Sequence, residues 1–546
     1  MFKCKTNYDA EQKIWYGPKI QSNSNIDNKS AGEFILSILE EVPDKVIQIS
    51  ANNGIQITGK QMHTLSIRAC QNLQLNRLKQ NDIIGIAASN SHYLAPIVFG
   101  SYLCGTTLST LDPSFRKDEI KHIYSFTKPK IIFCDPENYE AMKDSNAELN
   151  LNASIYLMKG NVEGVETVDV FLKSTGKELN FVPPKLQDGG DQVATILCSS
   201  GTTGLPKGVC MSHRMLLRLT GFTTLTEDDV FMSYSSLYWL SGLITLNLGT
   251  MNKCLRVIID EPFSTETFFD IVEKYRVTNL IGPPSQLGLI TQSSELEKRD
   301  LSSITKFNSG GSTVPASLIK KFEEYLPNGS VYVSYGMSEI ASCSNMEFIE
   351  YRRSGSVGQM MPNTEVKILD LHGKQLGVGE EGEICIRIDV KWPGYFGNDK
   401  ATSDIYDENH WISTGDIGYF DNDGYLFVVD RKKDILKYKN FHVSPTEIEE
   451  IILELPDVIE VSVCGVPDIV YTDLPAALVV KKPESNLTSD DILKLVETKL
   501  ADFKKLRGGV YFVKELPKTV SGKIQRNKVK EMLIHYSSNK GSGTSC

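Results

Sequence analysis

The chain has 546 residues, 41% of them hydrophobic and 23% charged, with a formal net charge of −10. This is the balance of an ordinary soluble globular enzyme, long enough for more than one domain. From Arg431 onward there are 19 Lys and Arg against 16 Asp and Glu, a net of +3 against −13 for the remainder; so small and dispersed an excess suits a cover over an anionic ligand and argues against a nucleic-acid partner.

In chain order, Met1-Phe-Lys-Cys-Lys-Thr-Asn-Tyr-Asp9 has no apolar core, so no secretory signal is expected. Ala31–Val42 places Phe34, Ile35, Ile38 and Leu39 on one face of a helix, and Gly59–Leu78 does the same with Met62, Leu65, Ala69 and Leu73. Ile83–Ala87 reads as a strand. The most apolar long window, Tyr93 to Leu108, interrupted by Pro96, Gly100 and Gly105, is too short to span a bilayer and reads as a buried helix near 93–104. A charged helix near 117–127 and a strand Ile131–Cys134 follow. This βαβα rhythm predicts an α/β fold: a large N-terminal domain built on mostly parallel, doubly wound sheets with helices on both faces.

Val193–Cys198 is strand-like, and Ser199-Ser-Gly-Thr-Thr-Gly-Leu-Pro-Lys-Gly208 packs three glycines, four hydroxyls and one lysine between two apolar runs. Backbone N–H groups and hydroxyls there can surround a phosphate while Lys207 neutralises charge. Lys207 is followed by Gly208, not Ser or Thr, and Val209–Ser212 reads as a strand, so this is not a Walker A loop. Further on, Asn308-Ser-Gly-Gly-Ser312 allows backbone to approach a bulky ligand. Tyr335-Gly-Met-Ser-Glu339 sets an aromatic, a hydroxyl and a carboxylate within five residues. Residues 353–430 are dense in Gly, Asp and short β-runs (366–369, 382–387, 424–429), as in a small antiparallel unit. Within them Ser413-Thr-Gly-Asp416 reads as a turn presenting a carboxylate to ribose hydroxyls.

Arg431-Lys-Lys-Asp434 breaks the β pattern. A boundary at 430–434 divides an N-terminal domain, 1–430, from a smaller, mobile α+β C-terminal domain, 434–546, with helices at 447–455 and 489–500 and strands at 461–464 and 476–480. Near the end, Val520-Ser-Gly-Lys-Ile524 carries a lysine on a Gly-containing turn. The last residues, Gly541–Cys546, are not a Ser-Lys-Leu peroxisomal signal, which leaves the cytoplasm as the expected compartment. Eleven cysteines are scattered without a Cys-x-x-Cys pair, a pattern that argues against a disulfide framework or a zinc site; most read as small buried apolar residues.

Taken singly, each of these segments has an ordinary reading as a turn, a helix cap or a solvated lysine. Together and in this order, at 199–208, 308–312, 335–339, 413–416, 430–439 and 505–523, they resemble the adenylate-forming superfamily of acyl-CoA synthetases, aryl-CoA ligases and beetle luciferases, from about residue 30 to 535. Lys505–Val513 and Leu516–Lys523 are similar to luciferases and their arthropod acyl-CoA synthetase relatives.

The resemblance implies an enzyme, an acid–thiol ligase that joins a fatty or aryl carboxylic acid to ATP, releases pyrophosphate and passes the acyl group to coenzyme A. Lys523 matches the family's adenylation lysine. Lys207 and the loop Ser199, Ser200, Gly201, Thr202, Thr203 and Gly204 would hold the β,γ-phosphates. Glu339 matches the carboxylate that holds Mg²⁺, beside Ser338 in place of the commoner Thr. Asp416 matches the ribose-binding aspartate and Arg431 its partner. Gly310, Gly311 and Ser312 resemble the strip that lines both adenine and acyl pockets, and Tyr335, Gly336, Met337 and Ser338 would help to bind ATP. Lys437, Lys439 and Asn440 resemble the thiolation segment, and Lys433 falls at the family's hinge. The resemblance implies no nucleic-acid partner and no membrane span, and nothing in the sequence sets the oligomeric state.

Three positions depart from the family pattern. Asn440 stands where Gly is usual, which adds bulk beside a pantetheine arm. Tyr238 or Trp239 stands where many relatives place a histidine beside the acid pocket, either narrowing it or simply packing in the core. Ser334 replaces a usual Gly. Two alternatives remain at this level. One is a luciferase-type monooxygenase in which O₂ oxidises the adenylate with light emission, against which the absent pocket histidine counts for a beetle-like luciferin. The other is a non-catalytic nucleotide- or acyl-binding protein, which the retention of Lys523, Lys207, Glu339 and Asp416 disfavours.

Overall fold

A computed structural model of the protein describes residues 5–20, 29–198, 206–219, 225–340, 345–346, 353–438, 441–468, 470–519 and 523–540. Helix Ala31–Glu41 starts at Ser30, whose hydroxyl accepts from the Glu33 N–H while the Glu33 carboxylate accepts from the Ser30 N–H. Its buried face is Ile35, Leu36 and Leu39, with Phe34 and Ile38 half-buried, so the stripe is turned slightly from the one the periodicity suggested. The next helix, Gly59–Leu75, buries Met62, Ala69 and Leu73 but leaves Leu65 half-buried. It packs against Leu94–Cys104, all of whose residues are buried.

These helices cover a six-stranded sheet ordered Gly208–Ser212, Val193–Cys198, Thr107–Thr110, Ile83–Ala87, Ile131–Cys134 and Ser154–Leu157. It is parallel except for the first pair, where Gly208 opposes Cys198. The hydroxyl-rich segment therefore joins two antiparallel neighbours; residues 199–205 themselves lie outside the described part.

A second sheet of eight strands runs Asn345–Met346, Ser330–Tyr335, Lys306–Gly310, Asn279–Gly282, Val230–Met232, Leu255–Ile258, Val46–Ser50 and Gln56–Thr58. Its six inner strands are parallel, and the outermost strand at each end is antiparallel. Parallel strands put their C-terminal ends on one edge, where ligands of such sheets bind; Gly310 and Tyr335 both end there.

The antiparallel unit is larger than its β-runs implied. It has six strands, because the hairpin Asn7–Asp9/Ile14–Tyr16 pairs with Thr364–Leu369, and Ile412–Phe420 lies between Gly382–Ile388 and Leu426–Arg431. Ser413–Asp416 is thus inside a strand and not a turn. The turn-like composition reflects Gly415, which takes a φ of +73° within the strand.

The antiparallel unit ends at Arg431, and a separate five-stranded sheet begins at Leu436, built on Val458–Asp468 paired with Thr472–Lys481. This part has its own apolar cores, one around Val443, Ile448, Val463 and Ile492, the other joining Leu478 and Leu516 to Val529 and Leu533 of helix Arg526–Lys540. The described cysteines, 70, 104, 134, 198, 210, 254, 385 and 464, are all buried and free. Among the described residues no helix is long and apolar enough to cross a membrane.

Candidate functional site

Asp416 and Arg431 are direct cross-strand partners. This register brings Arg431 Nε to 3.1 Å from Asp416 Oδ1. Tyr335, at the end of its parallel strand, donates its hydroxyl to Asp416 Oδ2 at 2.8 Å. Two sheets thus meet on one carboxylate. Burial raises the Asp416 pKa, and the Arg431 charge and the Tyr335 bond pull it back.

Gly310 ends the neighbouring strand. A Cβ there would lie 2.4 Å from the Ser334 carbonyl oxygen, so only glycine lets the two strands run this close. Gly311, with a φ of +86°, turns the chain away and is exposed together with Ser312. Lys523 arrives here from the C-terminal part: a Cβ on Gly311 would stand 4.0 Å from its Nζ. The Lys523 loop is closed by the Thr519 N–H donating to the Lys523 carbonyl at 2.7 Å. Burial lowers the Lys523 pKa, Arg431 lowers it further, and Asp416 opposes both.

Glu339 lies in the single 3₁₀ turn Ser338–Ile340 and is 6% exposed. Its Oε1 accepts from the Tyr395 hydroxyl at 2.6 Å. Burial raises the Glu339 pKa; the Tyr395 bond and the charges of Arg431 and Lys207 oppose it. Lys207, exposed at the start of its strand, holds Nζ 4.8 Å above the Tyr395 ring. Tyr395 therefore links the cation after the hydroxyl-rich segment to the buried carboxylate. Sequence reading missed it. The aromatic run Trp392-Pro-Gly-Tyr-Phe396 was the available signal. What places it is the pairing of 394–396 with the Lys207 strand, where the Cys210 N–H donates to the Gly394 carbonyl at 3.1 Å and the Phe396 N–H to the Gly208 carbonyl at 2.8 Å.

Gly336 is exposed, while Met337 and Ser338 are half-buried between Tyr335 and Glu339. The structure brings Lys207, Glu339, Tyr335, Gly310, Gly311, Asp416, Arg431 and Lys523 into one neighbourhood through the contacts above. It does not gather every candidate. Tyr238 is 5% exposed and packs edge-on against Phe115 at 5.1 Å and Trp239 at 4.6 Å, inside the core of the first sheet. That is the core-packing alternative; Trp239 is half-buried ahead of helix Leu240–Met251. Lys437 is exposed on Leu436–Tyr438, its N–H donating to Asp473 at 3.0 Å. Lys433 is exposed in the turn after Arg431. Ser199–Gly204, Lys439 and Asn440 lie outside the described residues.

A metal ion would find no ready-made cage: no group of three His, Cys, Asp or Glu able to hold one stands among the described residues. One buried carboxylate, Glu339, with the Ser338 hydroxyl beside it, fits an ion that takes most of its oxygens from phosphates. The arrangement as a whole offers cations at three points, Lys207, Arg431 and Lys523, around a strip of glycine backbone, with one carboxylate, Asp416, able to accept from further hydroxyls. That suits a nucleotide whose phosphates are drawn together with a second anion.

Comparison with known proteins agrees. A family model described as AMP-binding enzyme matches residues 38–396, and one described as AMP-binding enzyme C-terminal domain matches residues 447–523. A luciferin 4-monooxygenase of Photinus pyralis is 29% identical over 530 residues, covering 93% of this chain and 95% of its own. A probable 4-coumarate–CoA ligase 2 of Dictyostelium discoideum is 30% identical over 539 residues, covering 93% and 96%. The crystal structure of the anthranilate CoA ligase AuaEII in complex with anthranoyl-AMP superposes with a TM-score of 0.87 over 94% of this chain and 98% of that one, at 21% identity, a likeness of fold.

Proposed function

The chain belongs to the AMP-binding enzyme family, and from that premise we propose that it activates a fatty or aryl carboxylic acid with ATP to an acyl-adenylate, releasing pyrophosphate, and transfers the acyl group to coenzyme A. The observation that carries this reading is Lys523 standing over Gly311 beside Asp416 and Arg431. Attack of a carboxylate on the α-phosphate brings two anions together, and a cation fixed between them lowers that barrier without reorganising at the moment of reaction.

In this reading the ribose hydroxyls bond to Asp416, which Tyr335 and Arg431 hold in place. Adenine and acid lie along the Gly310–Ser312 strip. Lys207 and the loop Ser199–Gly204 draw off the β,γ-phosphates. Glu339, oriented by Tyr395, would hold Mg²⁺, which supplies charge neutralisation on the phosphate oxygens when bound. Once the adenylate has formed, a turn about Lys433 would withdraw Lys523 and present Lys437, Lys439 and Asn440 for thiolation. The division into 1–430 and 434–546 belongs to this proposal.

The test is ATP–pyrophosphate exchange over a panel of fatty and aryl acids, followed by assays for CoA dependence and for light. Acid-dependent exchange followed by CoA-ester formation is expected; exchange with no acid in the panel would overturn the reading. Light emission without CoA-ester formation would instead favour the monooxygenase reading, for which the likeness to luciferin 4-monooxygenases speaks.

A further inference from the structure

Asp430 stands in strand Leu426–Arg431, opposite Ile417 and next to Arg431, the partner of Asp416. It is 8% exposed, and its carboxylate bonds to the C-terminal part. Oδ2 accepts from the Ser444 hydroxyl at 2.9 Å and from the Thr446 N–H at 3.1 Å, while Oδ1 accepts from the Arg431 N–H at 2.8 Å. Ser444 is also the cap of helix Pro445–Ile452, its Oγ accepting from the Glu447 N–H at 3.3 Å. A buried carboxylate at the end of the N-terminal part thus meets the N-terminal end of a helix in the C-terminal part, where negative charge is favoured. Lys433 lies between the two in sequence.

The same helix braces Lys523. Glu449 Oε2 accepts from Arg526 Nη2 at 2.8 Å, and its Oε1 accepts from the Val463 N–H at 2.7 Å. Arg526 Nη1 in turn donates to the Val463 carbonyl at 2.8 Å. Arg526 opens helix Arg526–Lys540, three residues after Lys523. Helix Pro445–Ile452, strand Val458–Asp468 and the Lys523 segment are therefore tied together, and whatever seats the helix also seats Lys523 beside Gly311.

We propose that Asp430 is a positioning residue: its bonds to Ser444 and Thr446 dock the C-terminal part in the orientation that holds Lys523 at the glycine strip. A turn about Lys433 has to break them. Asp430 and Ser444 thereby set the share of molecules in each orientation, without touching nucleotide or acid. This rests on the acid-activating reading above for the roles of Lys523 and Lys433.

The test compares full-length Asp430→Asn and Ser444→Asp with wild type. Asp430→Asn leaves fewer acceptors for the same donors. Ser444→Asp keeps an acceptor to cap the helix but sets a second carboxylate against Asp430. Pyrophosphate exchange reads adenylate formation, and CoA-ester formation from synthetic acyl-adenylate reads thiolation. Each single variant should raise the ratio of thiolation to adenylation rates about tenfold, the shift expected for losing a hydrogen bond to a charged acceptor. The double variant Asp430→Asn/Ser444→Asp should bring the ratio back towards wild type, since the new amide can donate to the new carboxylate. A residue needed only for folding would lower both rates alike.

Tryptic cleavage after Arg431, Lys432 and Lys433 gives an independent readout. There the Lys432 N–H donates to the Gly415 carbonyl at 2.8 Å and the Asp434 N–H to the Arg431 carbonyl at 2.8 Å, which closes the turn. Cleavage should quicken in the single variants and slow again in the double one. If no acid exchanges at all, the acid-activating reading fails while this cleavage still decides the seat. Should one single variant fail to fold, the other carries the comparison. An unchanged rate ratio, or with no exchanging acid an unchanged cleavage rate, overturns the proposal.

Discussion

Lys523 ends against Gly311, its Nζ 4.0 Å from the place a Cβ would take there. The cation of the C-terminal part thus already stands against the glycine strip of the N-terminal part, next to the Asp416–Arg431 pair. Removing it as Lys523→Ala is expected to slow adenylate formation by about 10²–10³-fold, the usual cost of losing one fixed electrostatic stabiliser. Transfer from a preformed acyl-adenylate to CoA should survive. The check is exchange kinetics beside a thiolation assay fed with synthetic adenylate; equal loss in both would refute a lysine serving one half-reaction.

Burial depresses the Lys523 pKa, and the Arg431 charge adds to it. In the proposed reaction Lys523 acts as a protonated cation, so activity should fall as pH rises through its lowered pKa. Taking away the Arg431 charge as Arg431→Met should let that pKa climb, and the basic limb of kcat against pH should move upward. A limb that stays put at saturating ATP would mean another group sets it.

Asp416→Ala should raise the ATP dissociation constant by roughly ten- to a hundredfold, the range for losing a hydrogen bond to a charged acceptor. Tyr335→Phe keeps the ring and deletes only the donor to Asp416 Oδ2, so its effect should be about tenfold or less. Isothermal titration with ATP measures both. Unchanged affinity in Asp416→Ala would remove its ribose role.

Tyr395→Phe deletes the hydroxyl that bonds Glu339 Oε1. That bond favours the ionised carboxylate, whose pKa burial has already raised. Its loss should raise the pKa further, so the acidic limb of the exchange profile moves to higher pH and the Mg²⁺ concentration for half-maximal activity increases. An unmoved acidic limb would show that Glu339 does not titrate in the reaction.

Asn440→Gly should leave acid-dependent exchange intact and increase CoA-ester formation if the amide side chain crowds the pantetheine arm. Product formation with CoA, compared at equal adenylate supply, reads this directly. No increase would discard that account of the departure from Gly.

Much of the fold was legible because its signals are local. Helix 117–127 and strands 131–134 and 193–198 stand where periodicity and charge put them, since a buried face or an alternating run is written within a few residues. The N-terminal hairpin escaped because its two short strands join the sheet only through the distant strand Thr364–Leu369, and the strand Ile412–Phe420 because one of its two partners, Gly382–Ile388, lies well back in the chain. Ser413–Asp416 was read as a turn for the same reason: Gly and Ser composition is local, while the flanking strands that extend it are not.

The sequence by itself determined which chemical groups are available, Lys207 after a hydroxyl-rich loop, Glu339, Asp416 and Lys523, and the α/β rhythm that carries them. Tertiary structure alone decided who meets whom. Asp416 faces Arg431 through strand register, and Lys523 reaches Gly311 from the loop ahead of helix Arg526–Lys540. Tyr395 joins Lys207 to Glu339 because residues 394–396 pair beside strand Gly208–Ser212. Residue type and spacing record what a segment prefers, but the desolvation and contacts that shift a pKa or aim a charge arise only when sheets remote in sequence close on one another.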